Sequence, residues 1–156
     1  MKKTFILVAV VVSISTQPIF AQDNTKEHQL ITEYYKIKNA LVVGNANDAT
    51  TAAKAFLTTA NGMNHNIIPE GNINALVKDA SGISGTTDIT KQRLYFANFS
   101  INMAAVAKAV RLTDKPVYYA RCPMKKAYWL SNEKAIKNPY YGSAMLTCGE
   151  VTETIQ

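Results

Sequence analysis

The stretch DITKQRLYFANFSINMAAVAKAVR, residues 88–111, decides the fold. Ile89, Phe96, Phe99, Met103, Val106 and Val110 recur in near-heptad steps, so a helix through Arg111 carries them on one stripe. Thr86, Thr87 and Asp88 offer side-chain oxygens to cap its start, and Asp114-Lys115-Pro116 ends it. Met103 falls within the stripe and reads as core. Arg93 sits on the apolar side, where its expected role is an anchor that hydrogen-bonds carbonyls of the C-terminal tail or a carboxylate such as Glu33.

Upstream, the same period returns. Leu30, Tyr34, Ile37 and Leu41, joined by Ile31 and Val42, predict a helix over 28–43 that stops at Gly44-Asn45. Ala49, Ala52, Ala53, Phe56, Leu57 and Ala60 predict a second over 47–62, its small residues allowing close packing. After Pro69 and Gly71, Ile73, Leu76, Val77 and Ala80 predict a shorter third, ending in an SGISG loop at 81–85. Short polar connections between such helices predict an all-α fold, an antiparallel up-and-down bundle of about four helices over 27–112. An irregular Cys/Met tail over 113–156 follows. Within it, VYYA (117–120) and EVTETI (150–155) are β formers that could form a short two-stranded pair, and Ser131 could cap a brief helix over 132–136.

The first residues carry Lys2 and Lys3, an apolar run from Phe5 to Val12 and a small residue, Ala21. A basic start, a short apolar run and a small cleavage residue describe a signal peptide over 1–21. A membrane span needs roughly 20 apolar residues, which this run does not supply. The expectation is an exported, periplasmic or secreted chain, cut near Ala21, whose residues 22–156 form a single domain.

Loss of Lys2 and Lys3 leaves 15 of the 17 basic residues against 11 acidic ones. They lie scattered, so the surface reads as ordinarily solvated, with no basic stripe for nucleic acid. His28 and His65 sit in no metalloprotease or haem-attachment pattern, and neither a serine elbow nor a phosphate-cradling glycine loop occurs. Glu33, Glu70 and Asp79 occur singly. No enzyme activity is expected.

The sulfur is distributed unevenly. Cys122 precedes Met124 by two residues and Met145 precedes Cys148 by three, in a segment that also holds Trp129 and much of the tyrosine. The cysteines stand 26 positions apart, so they form no CxxC redox motif. One reading is a disulfide, which in an exported chain contributes about 3 kcal/mol by closing such a loop. The other is a metal site. Thiolate and thioether sulfurs are soft donors that favour Cu(I). Pro123 holds Cys122-Pro123-Met124 extended, so both sulfurs point to one side, and a spacing of three puts Met145 and Cys148 on one face of a helical turn. The NPYYG turn at 138–142 could fold one pair onto the other. Ag(I) would suit the same donors; zinc ranks lower, because it would need His28 and His65 brought to the tail. Met63 and His65, in GMNHN, are a weaker candidate pair. Trp129 and the tyrosines are expected to pack the tail on the bundle, or else to shield the metal or to make cation–π contact with Lys125 and Lys126.

Several stretches resemble family 3347 among the domains of unknown function: YYKIKNALV (34–42), DITKQRLYFANFS (88–100), VYYARCPM (117–124), WLS (129–131), IKNPYYG (136–142) and MLTCGEV (145–151). These are small exported bacterial domains, found alone or joined to the periplasmic adaptors of heavy-metal efflux pumps. The resemblance implies an all-α domain tied to copper or related heavy-metal handling, with its sulfur positions at Cys122, Met124, Met145 and Cys148. Many related tails read CPMA where this one has Met124-Lys125. No adaptor hairpin, lipoyl or barrel region is present, so the resemblance implies a free-standing metal-binding partner of a heavy-metal efflux adaptor or pump.

Overall fold

The structure is a computed structural model that describes residues 25–156. The expected signal peptide and its cleavage near Ala21 lie outside the described residues. Four helices, α1 (Lys26–Val43), α2 (Ala46–Asn61), α3 (Glu70–Ser84) and α4 (Ile89–Ala109), precede three strands, β1 (Val117–Cys122), β2 (Ala127–Ser131) and β3 (Glu150–Ile155). A short 3-10 turn, Gly142–Met145, stands before β3.

Local chemistry sets the helix ends. Thr25 accepts a hydrogen bond from the His28 amide, Asn45 from those of Asn47 and Asp48, and Asp88 from those of Thr90 and Lys91. Each such cap contributes about 1 kcal/mol. Gly44 closes α1 in the left-handed conformation, φ 78°, where a Cβ would be strained. The third helix runs through Ser84, past the point where SGISG predicts a loop. The reason is tertiary. Ala80 and Ile83 are buried in the core, and Gly82 leaves room for the Tyr95 ring of α4, which a Cβ there would strike. Packing outweighs the weak helix propensity of glycine and serine.

Each helix packs chiefly on its neighbours in sequence, whereas α1 and α4 scarcely meet directly. Phe56, Phe96, Phe99 and Tyr34 form an aromatic centre, with Phe56 edge-on to Phe99 at 4.8 Å between centroids. Gln92, fully buried, donates to the carbonyls of Ala46 and Thr86 at 2.9 and 2.8 Å, tying the start of α2 to the turn before α4. The open side between α1 and α4 is filled from the C-terminal region, since β2 packs on α4 and the 3-10 turn on α1. Tyr34 is the junction: its hydroxyl lies 2.7 Å from Ser100 Oγ of α4 and accepts from the Leu130 amide of β2 at 2.9 Å.

The C-terminal region is therefore a correction to the all-α expectation. It is a three-stranded antiparallel sheet in the order β2-β1-β3. The expected pairing of VYYA with EVTETI is present, Val117 opposite Ile155 and Arg121 opposite Glu150, with a bulge between Tyr119 and Ala120. The third strand, running Ala127 to Ser131 against Cys122 to Tyr118, was not anticipated. Its hairpin turn, residues 123–126, places Lys126 at φ 53°, a position where glycine or asparagine is the usual signal. A lysine there hides the turn. No helix forms over 132–136 either. Ser131 Oγ does accept from the Glu133 amide, but Asn138 holds the chain back against the loop before β3, its amide donating to the Leu146 carbonyl and its Nδ2 to that of Cys148.

Candidate metal centre

The four sulfur residues stand at one end of this sheet. Cys122 is the last residue of β1, opposite Ala127 and fully buried. Met124 follows in the hairpin turn, 64% exposed, a correction to the extended Cys122-Pro123-Met124 segment: the chain turns at Pro123 to start β2, so one side chain of the pair is buried and the other lies at the surface. Met145 ends the 3-10 turn, 39% exposed, and Cys148 is half-buried just before β3, the antiparallel neighbour of β1. The Cys148 amide donates to the Met145 carbonyl at 3.1 Å, so this pair shares one turn of chain, as its spacing predicts.

Three features hold Cys148 against the end of β1. Asn138 Nδ2 grips its carbonyl at 2.7 Å. Gly149 adopts φ 150°, and a Cβ on it would lie 2.8 Å from the Arg121 carbonyl and 2.7 Å from the Trp129 ring, so only glycine lets the chain pass this close. Glu150 then enters the ladder opposite Arg121. The two thiols, both free, consequently act on one another. The Cys148 thiol is pushed above its ordinary range first by burial, then by the charge of Cys122 and by a hydrogen bond with it. Such a thiol stays protonated at neutral pH, and a metal that binds it must displace the proton.

The exposure of Met124 and Met145 sets them apart from Met103 and Met63, which are packed in the core. A thioether that fills no cavity is available as a donor. Met63 and His65 are divided by burial, the methionine lying inside and the imidazole at the surface. Among the described residues no three of His, Cys, Asp and Glu gather as a metal-holding group, so the two-cysteine, two-histidine set that zinc commonly takes is not assembled. The donor set at the sheet end is sulfur, which fits a soft ion.

Around the site the aromatic residues do what packing asks of them. Trp129 is 1% exposed and meets Tyr140 edge-on at 6.2 Å, while the Tyr140 hydroxyl donates to the Tyr128 carbonyl. Tyr119 and Tyr128 stack at 5.0 Å, and the cation over Tyr119 is Lys108, not Lys125 or Lys126. Arg93 is the expected anchor to a tail carbonyl. Its Nε donates to the Pro139 carbonyl at 2.8 Å and its second nitrogen to the Leu41 carbonyl at 2.9 Å, while Glu33 pairs instead with Lys36. Two positioning residues escaped the sequence reading, Asn138 and Gly149. Their signals, an asparagine before proline and a glycine after cysteine, are also those of any turn.

No curated protein and no solved structure is matched. A family model described as a protein of unknown function (DUF3347) matches residues 30–115, from within α1 to the turn before β1. With more than half of its 156 residues inside that match, the chain belongs to this family of unknown function.

Proposed function

We propose that the protein is a periplasmic heavy-metal-binding protein that holds Cu(I) through Cys122, Met124, Met145 and Cys148. Its role is to buffer the ion or deliver it to an efflux partner, with no catalytic step. The observation that supports this reading is the placement of both Cys–Met pairs at one end of the sheet, where Cys148 lies near enough to Cys122 for the two thiols to influence each other. Buried Cys122 supplies an anchored donor screened from water, and exposed Met124 and Met145 supply labile donors from which an ion can be passed on. Ag(I) suits the same set, and zinc suits it less.

The test is a double change of Met124→Leu and Met145→Leu. Leucine keeps the volume of methionine, so folding stability is expected to shift by less than about 1.5 kcal/mol. Cu(I) affinity, measured against a competing chelator, is expected to fall by about tenfold or more, equivalent to roughly 1.4 kcal/mol. Unchanged affinity would overturn the four-sulfur site.

The same closeness of the thiols supports a second reading, an interaction module stapled by a Cys122–Cys148 disulfide that docks on an efflux or membrane partner. A disulfide and a dithiolate copper site exclude each other. Protein isolated without reductant and lighter by two hydrogens, with no copper taken up after mild reduction, would favour the staple.

A further inference from the structure

The end of the sheet that carries the sulfurs also carries an exposed apolar tip. Met124, Met145 and Leu146 are 64, 39 and 40% exposed, and the antiparallel register from Arg121 opposite Glu150 brings the two loops that bear them alongside one another. Next to Met124 stand Lys125 and Lys126, both exposed and in no ion pair among the described residues. The neighbouring Arg121 and Glu150, 3.8 Å apart, offset each other. The excess charge of the tip is thus the two lysines, and the turn that presents them keeps Lys126 in a left-handed conformation with its amide donating to the Pro123 carbonyl at 3.3 Å. Among the described residues, grooves lie between α1 and α2 and between α3 and α4, away from this tip.

We propose that this tip docks on an anionic lipid surface, Met124, Met145 and Leu146 entering the headgroup boundary while Lys125 and Lys126 meet the anionic headgroups. Exposed apolar side chains beside unpaired ammonium groups match a layer that is negatively charged outside and apolar beneath. No helix among the described residues is long and apolar enough to cross a membrane, so the contact is peripheral. The proposal does not rest on metal binding.

Residues 22–156, which hold every described element and its buried core, are tested metal-free and reduced by co-sedimentation with vesicles. Vesicles of phosphatidylglycerol mixed with phosphatidylcholine are compared with phosphatidylcholine alone. Binding is expected to the anionic vesicles only and to weaken with salt. Each lysine near an anionic surface contributes about fivefold, so the combined Lys125→Gln and Lys126→Gln changes are expected to weaken binding by about 25-fold. Leu146→Ser is expected to weaken it further. Equal binding to both vesicle types, no binding to the anionic ones, or an unaltered double lysine variant would overturn the proposal; an acidic protein face would then be the better occupant. Cu(I) affinity of the double lysine variant is expected to match the parent, so the sulfur site and the lipid contact fail separately.

Discussion

Lys38→Met is expected to stabilise the protein by about 3 kcal/mol at pH 6, and the gain is expected to vanish near pH 11. Lys38 lies on α1 beneath the end of β2, 1% exposed, and its Nζ is 3.5 Å from Ser131 Oγ. Burial brings its amine down from 10.5 to about 8; Glu133 pulls it partway back up, and Lys137 pushes it further down. A base depressed in the folded state costs stability wherever it is charged. The cost is complete below pH 8 and is relieved as pH rises from 8 to 10.5, because the unfolded chain then holds the proton that the folded chain has lost. At about 1.4 kcal/mol per unit, that difference is about 3 kcal/mol. Methionine is long, unbranched and uncharged, and fills the same channel. Burial also pushes the Tyr34, Tyr35 and Tyr140 hydroxyls upward, so stability they confer is lost above pH 10 in both proteins and cancels in the comparison. Urea unfolding from pH 6 to 11 measures the difference. A variant no more stable at pH 6, or a difference that ignores pH, would contradict the assignment.

The second large effect is at Trp129. Trp129→Ala is expected to cost about 3–5 kcal/mol, the range for removing a large buried aromatic. The side chain is 1% exposed, packs edge-on against Tyr140, and gives Gly149 the surface on which residues 148–150 lie. Its loss is expected to free Cys148 from the end of β1, so Cu(I) affinity should fall together with stability. Urea unfolding and chelator competition on the same sample read both. A loss under 1 kcal/mol, or full stability loss with copper affinity intact, would separate the tryptophan from the site.

How far the sequence reaches differs along the chain. The helices were legible because Tyr34, Phe56, Phe96, Phe99 and Met103 recur at the helical period and Asp88 is a clear start signal, whereas Asn45, read only as part of a stop, also caps α2. The extension of α3 through Gly82 was not, since it depends on the Tyr95 ring across the interface. The hairpin of β1 and β2 was hidden by Lys126, which occupies a left-handed position without the residue that usually marks one. The burial of Lys38 was hidden among the scattered charges, because a long aliphatic stem looks alike on a surface and in a core. At the candidate site the sequence showed that sulfur clusters, and even which residues share a turn. That Cys122 meets Cys148 depends on strand pairing, on Asn138 and on Gly149, none of which has a local period.

Whether these sulfurs together bind a soft ion is read by X-ray absorption at the copper edge of Cu(I)-loaded residues 22–156. A first shell of sulfur alone, losing sulfur in the Met124→Leu, Met145→Leu variant, is the predicted result. A shell of nitrogen or oxygen, or bound copper that leaves both thiols open to alkylation, would contradict it.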